Sequence, residues 1–521
     1  MSATIPQSSH WVVGIDVGVK SPHKVAIFDR RTGQRIRRTF SVPRTWDGIQ
    51  RFQEILAQAD RVQIALDPAD SAWRPLAGGL LALGFEVYLI DPKTSSRFRK
   101  ALSAHVKSDK VDAQALARLL MTVPDKLDPL RLPPTSVARL RDLVRHRDRL
   151  AEEIGNRKRR IQSLVGQIQP TLMEALGQDK FLPAYRAFLR KYVDPRSVVR
   201  LGKKRLHDFL NRRYRAHHFD PSRTEAILEA AHSGARLLEL QQQGDGLFFE
   251  PEQIQLEVSM ELDLFEAEEA QIKRLEQQIF VVYRTLDPDR VLQTLPGFGP
   301  IISAGVLGET GAVQRFPNVG KYRGFVSLIP RHKATGQSHN ERQKLRKAGP
   351  RLLKKYLYLA AETARKCDLE MAAFYDRCRR KGHVHDQAVC AVANKLAGRA
   401  YAVMKRMDQN DLPPYVFRDL EGHPIPKTEA KRRAQKEFPG PVAQRRQEAL
   451  DAEQSSAQKE ENAPKRTRRP HPAYTRPPKR DASSLGRGTP RHVSEVLAEI
   501  GIDTLVRTSA SDPSHKPPPD S

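Results

Sequence analysis

The chain has 521 residues, with 89 lysines and arginines against 61 aspartates and glutamates, and its formal net charge is +28. At about 150 residues per domain, this length predicts roughly three domains. So large a positive excess favours a polyanionic partner, and nucleic acid is the leading candidate. No run approaches about 18 apolar residues, which excludes a membrane bundle. Three cysteines without a CxxC pair argue against a disulfide framework or a structural zinc site, and the N-terminus lacks a secretory signal, so we expect a cytoplasmic protein.

The first block, residues 11–125, alternates predicted strands and helices. Strands are predicted for VVGID, KVAIFDR, RIRRTFSV, RVQIALD and EVYLID, and helices for TWDGIQRFQEILAQA, AWRPLAGGLLALG and KSDKVDAQALARLL. Three strands in succession, followed by alternating helices and strands, predict an α/β fold with a mixed sheet and helices on its faces.

Four aspartates of this block form a candidate metal site. Asp16 lies in an apolar strand, where an acid is costly unless a cation or hydrogen bonds offset it. Asp67 ends a strand, at the edge where open α/β sheets place ligands. Asp109 and Asp112 are about one turn apart on a predicted helix. Such carboxylates could hold Mg²⁺ or Mn²⁺ for phosphoryl transfer; alternatively they are turn or helix-start acids.

The middle block, residues 126–290, is predicted to be almost wholly helical. Apolar positions recur at heptad spacing in two helices, at Leu140, Ile154 and Ile161 in the first (with Arg147 in the same register) and at Val258, Phe265, Ile272 and Ile279 in the second. Two such helices far apart in sequence predict an antiparallel coiled-coil arm or a dimer seam. Ordinary amphipathic helices in a bundle are the alternative.

The third block, residues 291–408, opens on a glycine turn, LPGFGP, that precedes an apolar helix. Gly297 and Gly299 flank Phe298 in the pattern of a helix-hairpin-helix. Such a turn can present backbone N–H groups to a nucleic-acid phosphate without reading sequence. A simple glycine turn between helices is the alternative.

A loop further along the third block carries two hydroxyls, Thr335 and Ser338, on either side of Gly336. A hydroxyl in a cationic pocket could attack phosphorus, because guanidinium and ammonium groups stabilise the developing charge. A phosphate-binding loop without a nucleophile is the alternative. The basic residues expected to contact nucleic acid are Arg331, Lys333 and Arg342 around this loop and Lys107 and Lys110 beside the acids.

The last segment, residues 424–521, is rich in proline and in runs such as KRRAQKE and PKRTRRPHPAY. These runs cannot bury enough apolar surface to offset the entropy of ordering, so we predict a mostly disordered basic tail. Contact with nucleic-acid phosphates needs charge but no fold.

Several segments together resemble the DEDD transposases of bacterial insertion sequences, the IS-one-ten family, which includes the Piv/MooV DNA invertases. The matching segments between residues 11 and 408 are VVGIDVGVKSPHKVAIFD, ALDPADSAWRPLAGGLLALGFEVYLIDP, KSDKVDAQALARLL, LPGFGPIISAGVLGETGAVQRFPNVGKYRGFVSLIP and AAFYDRCRRKGHVHDQAVCAVANKLAGRAY. As a group, these motifs are highly specific.

The resemblance implies a RuvC-like, RNase H-fold N-terminal domain with a D-E-D-D site for Mg²⁺ or Mn²⁺, and a mainly helical C-terminal transposase domain. It also implies a serine that joins covalently to DNA, direction by a structured guide RNA, and a homo-oligomer (dimer or tetramer) near the bacterial nucleoid. Asp16, Asp109 and Asp112 fall on the family's acids, and Asp67 replaces its usual Glu. Thr335 falls on the nucleophile, and Ser338 is the nearby substitute.

The leading hypothesis is therefore a DNA transposase or recombinase that cuts and rejoins strands. A RuvC-like nuclease or junction resolvase would need only the acids. A non-catalytic descendant of a transposase would bind DNA in a salt-dependent way without cleaving it.

Overall fold

A computed structural model of the chain describes residues 9–68, 71–102, 108–213, 219–243, 250–328, 348–407 and 412–439. The N-terminal block is built on one five-stranded sheet. Its strands are β1 (His10–Asp16), β2 (His23–Asp29), β3 (Phe40–Val42), β4 (Arg61–Leu66) and β5 (Glu86–Leu89).

The sheet is mixed, as the order of its elements predicts. Its strand order is β3-β2-β1-β4-β5, with antiparallel pairing of β1, β2 and β3 and parallel pairing of β1, β4 and β5. Only β3 is much shorter than predicted. The polar start of that run, residues 35–39, makes a single bridge between Arg35 and Phe28 and stays largely exposed, because it offers the sheet few apolar side chains.

Helices cover both faces of the sheet. Their bounds are α1 (Trp46–Leu56), α2 (Trp73–Ala82), α3 (Pro92–Leu102) and α4 (Asp109–Thr122). Buried residues of α1 and α2 share one core with Val13 and Ile15 of β1, whereas α4 shares a second core with Val12. Neighbouring residues of β1 thus point to opposite cores, as the pleat of a strand requires.

The packing of α4 on β1 depends on Gly14. A Cβ atom at this position would lie 2.0 Å from the carbonyl oxygen of Ala113 and 2.5 Å from the backbone nitrogen of Ala117. Only glycine therefore allows the helix to approach the strand this closely.

Helix α3 was not predicted from the sequence. Its segment, PKTSSRFRKAL, has few apolar residues and only Ser95 is buried, so it lacks a clear apolar stripe. The helix is nevertheless well started. Pro92 occupies its first position, and the carboxylate of Asp91 accepts hydrogen bonds from the N–H groups of Lys93 and Thr94, each at 3.1 Å.

The middle block is helical, as predicted. Its helices are α5 (Thr135–Ile168), α6 (Leu172–Ala175), α7 (Pro183–Leu189), α8 (Pro195–Arg213, broken at Gly202), α9 (Pro221–Gln242) and α10 (Pro251–Leu286).

The two heptad helices, α5 and α10, are antiparallel neighbours within one chain. Arg147 pairs with Glu276 at 3.0 Å, and Arg157 bridges Glu261 and Glu268 at 3.0 and 2.9 Å. These pairs lie between two apolar cores. One core takes the start of α5 and the end of α10, and the other takes the opposite ends. The helix pair therefore connects two cores through a polar middle section, and whether its side chains interlock as a coiled coil stays a prediction.

The third block is also helical. Its helices are α11 (Val291–Thr294), α12 (Pro300–Thr310), α13 (Val319–Val326), α14 (Arg351–Cys367), α15 (Leu369–Arg380), α16 (His385–Met404) and α17 (Lys427–Glu437). An ion pair ties this block to α5. The side chain of Glu309 is only 1% exposed and receives two hydrogen bonds from the Arg145 guanidinium, at 2.6 and 3.0 Å.

Helix α17 corrects the prediction of a disordered tail from residue 424 onward. Ala430 and Ala434 are fully buried, and the helix packs on α14 and α15. These two small apolar residues lie one turn apart on an otherwise strongly charged helix, and Ile425 and Phe438 at its two ends pack on the same cluster. Disorder therefore does not hold for residues 424–439. The rest of the predicted tail, residues 440–521, lies outside the described residues.

In the part of the chain that the structure describes, no helix combines the length and apolar character needed to cross a bilayer.

We expect Gly14→Ala to lower the free energy of unfolding by roughly 3 kcal/mol, because its methyl group would collide with the backbone of α4. The chain's three tryptophans, Trp11, Trp46 and Trp73, all lie in the N-terminal block. Tryptophan fluorescence during urea unfolding therefore reports on this sheet. Gly79→Ala is the matched control, since a Cβ atom there meets nothing within 4 Å. It should be neutral or stabilising by up to about 1 kcal/mol. Equal effects of the two variants would contradict this account.

Candidate active site

Two of the predicted acids lie side by side at one edge of the sheet. Asp16 is the last residue of β1, and Asp67 directly follows β4. These strands are parallel and in register, with Ile15 beside Leu66, so both acids stand at the carboxyl edge. Asp16 continues the alternation of Val12 and Gly14, which places it on the face that α4 covers.

The other two predicted acids lie in the first turn of α4. The Ser108 hydroxyl starts this helix by accepting a hydrogen bond from the Val111 N–H group at 3.4 Å. Asp109 is exposed and Asp112 is half-buried. Because Ala113 rests against Gly14 of β1, Asp112 is carried towards the same edge of the sheet.

The pKa of Asp67 shows that acids gather at this edge. Burial raises it above the usual value for aspartate, and the neighbouring charges of Asp112 and Asp91 raise it further. Asp91 was not singled out from the sequence. It follows β5, the third strand of the parallel part of the sheet, and this position was the signal that could have identified it.

The carboxylate of Asp112 is engaged by a basic residue that was not predicted to belong to the site. The Arg99 guanidinium of α3 donates to both oxygens of Asp112, at 2.7 and 2.9 Å. The side chains are 15% and 22% exposed, respectively. One nitrogen, Nη1, makes both contacts, so the guanidinium sits end-on between the two carboxylate oxygens.

The chemistry of the donor set fits a hard divalent cation, because Asp16, Asp67, Asp109 and Asp112 offer only carboxylate oxygens. The geometry is not that of a closed ligand set. Within the described ranges, no three acidic, histidine or cysteine side chains form a group that could hold a metal ion.

The turn after Asp16 is held by Gly18 and His23. The N–H group of Gly18 donates to Nδ1 of buried His23 at 3.2 Å. Burial, and then the charge of Arg44, lowers the pKa of His23, so the imidazole stays neutral and can accept this bond. This hydrogen bond therefore fixes the conformation of the chain where it turns from β1 to β2, directly after Asp16.

The glycine turn of the third block is a packed feature. Gly297 has φ 81°, and a Cβ atom there would lie 2.1 Å from the carbonyl oxygen of Ala360 on α14. Phe298 is buried, whereas Gly299 is exposed at the start of α12. The structure thus gives Gly297 a packing role, and Gly299 is the more exposed of the two glycines, with its N–H group donating to the Gly297 carbonyl oxygen at 3.3 Å.

Of the predicted basic and hydroxyl residues, Lys110 is exposed in the first turn of α4. Outside the described residues lie Lys107, Arg331, Lys333, Thr335, Gly336, Ser338 and Arg342. The described ends of the segment that carries the hydroxyls lie close together. A Cβ atom on Gly349, which has φ 80°, would be 2.3 Å from the carbonyl oxygen of Phe325 at the end of α13.

Two family models match separate parts of the chain. Residues 13–170 match a family model of DEDD transposases of the IS110 type, described as a transposase. Residues 289–376 match a second model, described as a transposase of the IS116/IS110/IS902 family. The first match contains the acidic edge and α5. The second contains the glycine turn and the segment that carries the two hydroxyls.

Three insertion-element proteins are similar to most of the chain. The IS110 43.6 kDa protein of Streptomyces coelicolor is 25% identical over 68% of this chain and 84% of its own length. The IS116 44.8 kDa protein of Streptomyces clavuligerus gives the same values, and the IS900 42 kDa protein of Mycobacterium paratuberculosis is 25% identical over 67% and 84%. The two family matches and these relatives agree with each other: both point to the IS110 family of transposases, the family that the sequence motifs resemble.

Proposed function

We propose that this transposase cuts and rejoins DNA strands to move an insertion sequence, with its chemistry at the carboxyl edge of the sheet. The observation that carries the proposal is the set of acids there. Asp16 and Asp67 end adjacent parallel strands, and Asp112 lies near enough to raise the pKa of Asp67. A carboxyl whose pKa is raised by burial and by neighbouring acids, at the carboxyl edge of a sheet, is typical of functional sites.

We further propose that the N-terminal block is a RuvC-like, RNase H-type domain. The strand order β3-β2-β1-β4-β5, with one antiparallel and one parallel half, supports this, as does α4 lying across β1. In this proposal, residues 11–125 form the catalytic domain, residues 126–290 the helical region and residues 291–408 the C-terminal transposase domain.

Asp16, Asp67, Asp109 and Asp112 would hold Mg²⁺ or Mn²⁺. A bound divalent cation neutralises negative charge on the phosphate oxygens and polarises the phosphorus centre. The chain's own contribution would be positional: Asp16 and Asp67 follow paired residues of the parallel strands β1 and β4, and Asp109 and Asp112 belong to the first turn of α4. The side chain of Asp67 is one methylene shorter than that of the family's usual glutamate. A cation bound by Asp67 must therefore lie closer to the end of β4.

The attacking hydroxyl is proposed to belong to Thr335 or Ser338. In a covalent step, the hydroxyl loses its proton as its oxygen forms a bond to phosphorus, the bond from phosphorus to the leaving 3′ or 5′ oxygen breaks, and that oxygen takes up a proton, so the net proton count is unchanged. The basic residues Arg331, Lys333 and Arg342 in the same segment would stabilise the charge that develops on the phosphate.

A structured guide RNA and a homo-oligomer, dimer or tetramer, are proposed partners besides DNA. Both follow from the family, and the net charge of +28 supports a polyanionic partner. The bacterial cytoplasm, close to the nucleoid, is the proposed location.

One observation favours a second candidate, a non-catalytic DNA-binding descendant of a transposase. Arg99 occupies the carboxylate of Asp112, where a cation would have to bind. A nuclease or junction resolvase that uses the acids alone is the remaining alternative.

Substitution of Asp67 by Asn should stabilise the metal-free protein at neutral pH. The raised pKa of Asp67 means that its charged form is disfavoured in the folded state. Asp67 therefore does not lower the free energy of unfolding below about pH 3.9, the ordinary aspartate pKa, because it is then protonated in both the folded and the unfolded state. The loss of stability that it causes grows as the pH rises through the folded-state pKa. Melting temperatures in EDTA at pH 7 should be higher for Asp67→Asn than for the wild type.

Addition of Mg²⁺ should reverse the order of the two melting temperatures. Only the wild type has the carboxylate at position 67 that binds the cation, so only its folded state is stabilised by that binding. Asp125→Asn, at an exposed aspartate away from the acidic edge, is the control and should leave both melting temperatures unchanged. A wild type that melts above Asp67→Asn in EDTA would refute the electrostatic account.

Loss of Asp16 should abolish strand cutting, and loss of the nucleophile should abolish the covalent protein–DNA adduct. Purified protein is incubated with element-end DNA, Mg²⁺ and any terminal RNA, and adducts are separated on denaturing gels. We expect Asp16→Ala to reduce cutting by more than the roughly 100-fold that loss of an outer-shell metal partner costs. Asp125→Ala should retain activity.

Thr335→Ala and Ser338→Ala separate the hypotheses. If one of them removes the adduct, that residue is the nucleophile. If neither changes cutting while Asp16→Ala stops it, the protein is a nuclease or resolvase. Tight, salt-dependent DNA binding without cutting by the wild type would identify the non-catalytic candidate.

A further inference from the structure

Helix α3 presents an exposed basic face beside the acidic edge. Lys93, Arg97 and Lys100 are all exposed and lie at positions i, i+4 and i+7, so they share one side of the helix. The helix begins directly after Asp91, one of the acids that raise the pKa of Asp67. A row of positive charge therefore runs away from the point where the acids gather.

Arg99 is the basic residue of α3 that points inward. It is half-buried, and its guanidinium lies 2.7 and 2.9 Å from the two oxygens of Asp112. The negative charges of Asp67, Asp112 and Asp91 would repel one another without a cation among them. In the free protein, the Arg99 guanidinium is paired with one of these acids, Asp112.

We propose that α3 binds the phosphate backbone of a nucleic acid, and that Arg99 moves from Asp112 to a phosphate when the strand binds. This movement frees the Asp112 carboxylate for a divalent cation. The inference rests on the proposed function only in treating Asp112 as a metal ligand. Arg99 is a positioning residue in this scheme, since it acts through Asp112.

The exchange is chemically balanced because a phosphate offers the guanidinium the same pair of anionic oxygens that the carboxylate offers. The ion pair is also partly open to solvent, so a phosphate can approach the guanidinium. Lys93, Arg97 and Lys100 would hold the backbone along α3, which keeps a phosphate within reach of Arg99. Binding of nucleic acid and of the cation should then strengthen each other by the same factor.

The first test is Mn²⁺ titration of the full-length protein by calorimetry without nucleic acid. Arg99→Gln should bind Mn²⁺ roughly tenfold more tightly than the wild type, since no cation then competes for Asp112. Arg97→Gln removes the same charge from the exposed face of α3 and should bind Mn²⁺ like the wild type. A short DNA duplex should tighten Mn²⁺ binding to the wild type about tenfold and leave Arg99→Gln nearly unchanged.

The results separate the two ideas. Equal Mn²⁺ affinities for wild type and Arg99→Gln, both weakened by Asp112→Asn, would overturn the role of Arg99 and leave the metal site standing. Absence of Mn²⁺ binding in every variant, with and without DNA, would overturn both. Far-ultraviolet circular dichroism checks that each variant is folded.

The second test measures how DNA affinity depends on salt. The plot of log K against log salt has a negative slope. Changing Lys93, Arg97 and Lys100 together to Gln should make that slope shallower by about 2 to 3, the value expected for three lost phosphate contacts. The control changes three exposed basic residues of α8 to Gln, at Lys204, Arg205 and Arg212. Equal slopes for the α3 variant and the wild type would refute α3 as a phosphate-binding surface.

Discussion

The close contact between α4 and β1 is the constraint on which the candidate site depends. Gly14 removes the side chain that would otherwise hold the helix away from the strand. Asp16 lies two residues further along β1, and Asp112 immediately precedes Ala113, whose carbonyl oxygen faces Gly14. The same contact therefore sets the depth of the sheet's second core and the distance between acids from two distant parts of the chain. A larger residue at Gly14 would disturb packing and site together.

Once those acids are close, electrostatics decides the state of the site. Burial and like charge raise the pKa of Asp67, while the neighbouring Asp112 is paired with Arg99 in the free protein. The result is an edge that has the donor chemistry for a hard cation but not, among the described side chains, a formed ligand set. Such a site should bind a cation more tightly when a phosphate takes up the arginine, which is a physical basis for linking metal and nucleic-acid binding.

The helical blocks are held to one another by a few strong contacts. The α5–α10 pair joins two apolar cores, and the bidentate bond from Arg145 to buried Glu309 ties α5 to α12. Loss of Arg145 would leave a buried carboxylate without its charged partner, so the pair is expensive to break. The glycine turn before α12 belongs to the same packing, since Gly297 lets it lie against Ala360 of α14. Part of what looks like a nucleic-acid motif is therefore required by the fold.

The sequence by itself determined the five strands, the mixed sheet, the helical remainder and the family, because apolar periodicity and short motifs are local properties. It placed Asp16 and Asp67 at strand ends for the same reason. Helix α3 and the packing of α17 could not be predicted, since neither segment carries a full apolar stripe and each is stabilised by caps or by small residues against a neighbour. The participation of Asp91 and the contact between Arg99 and Asp112 were decided only by tertiary structure. Thirteen positions separate Arg99 from Asp112 in sequence, and only the packing of α3 on α4 brings the two charges together.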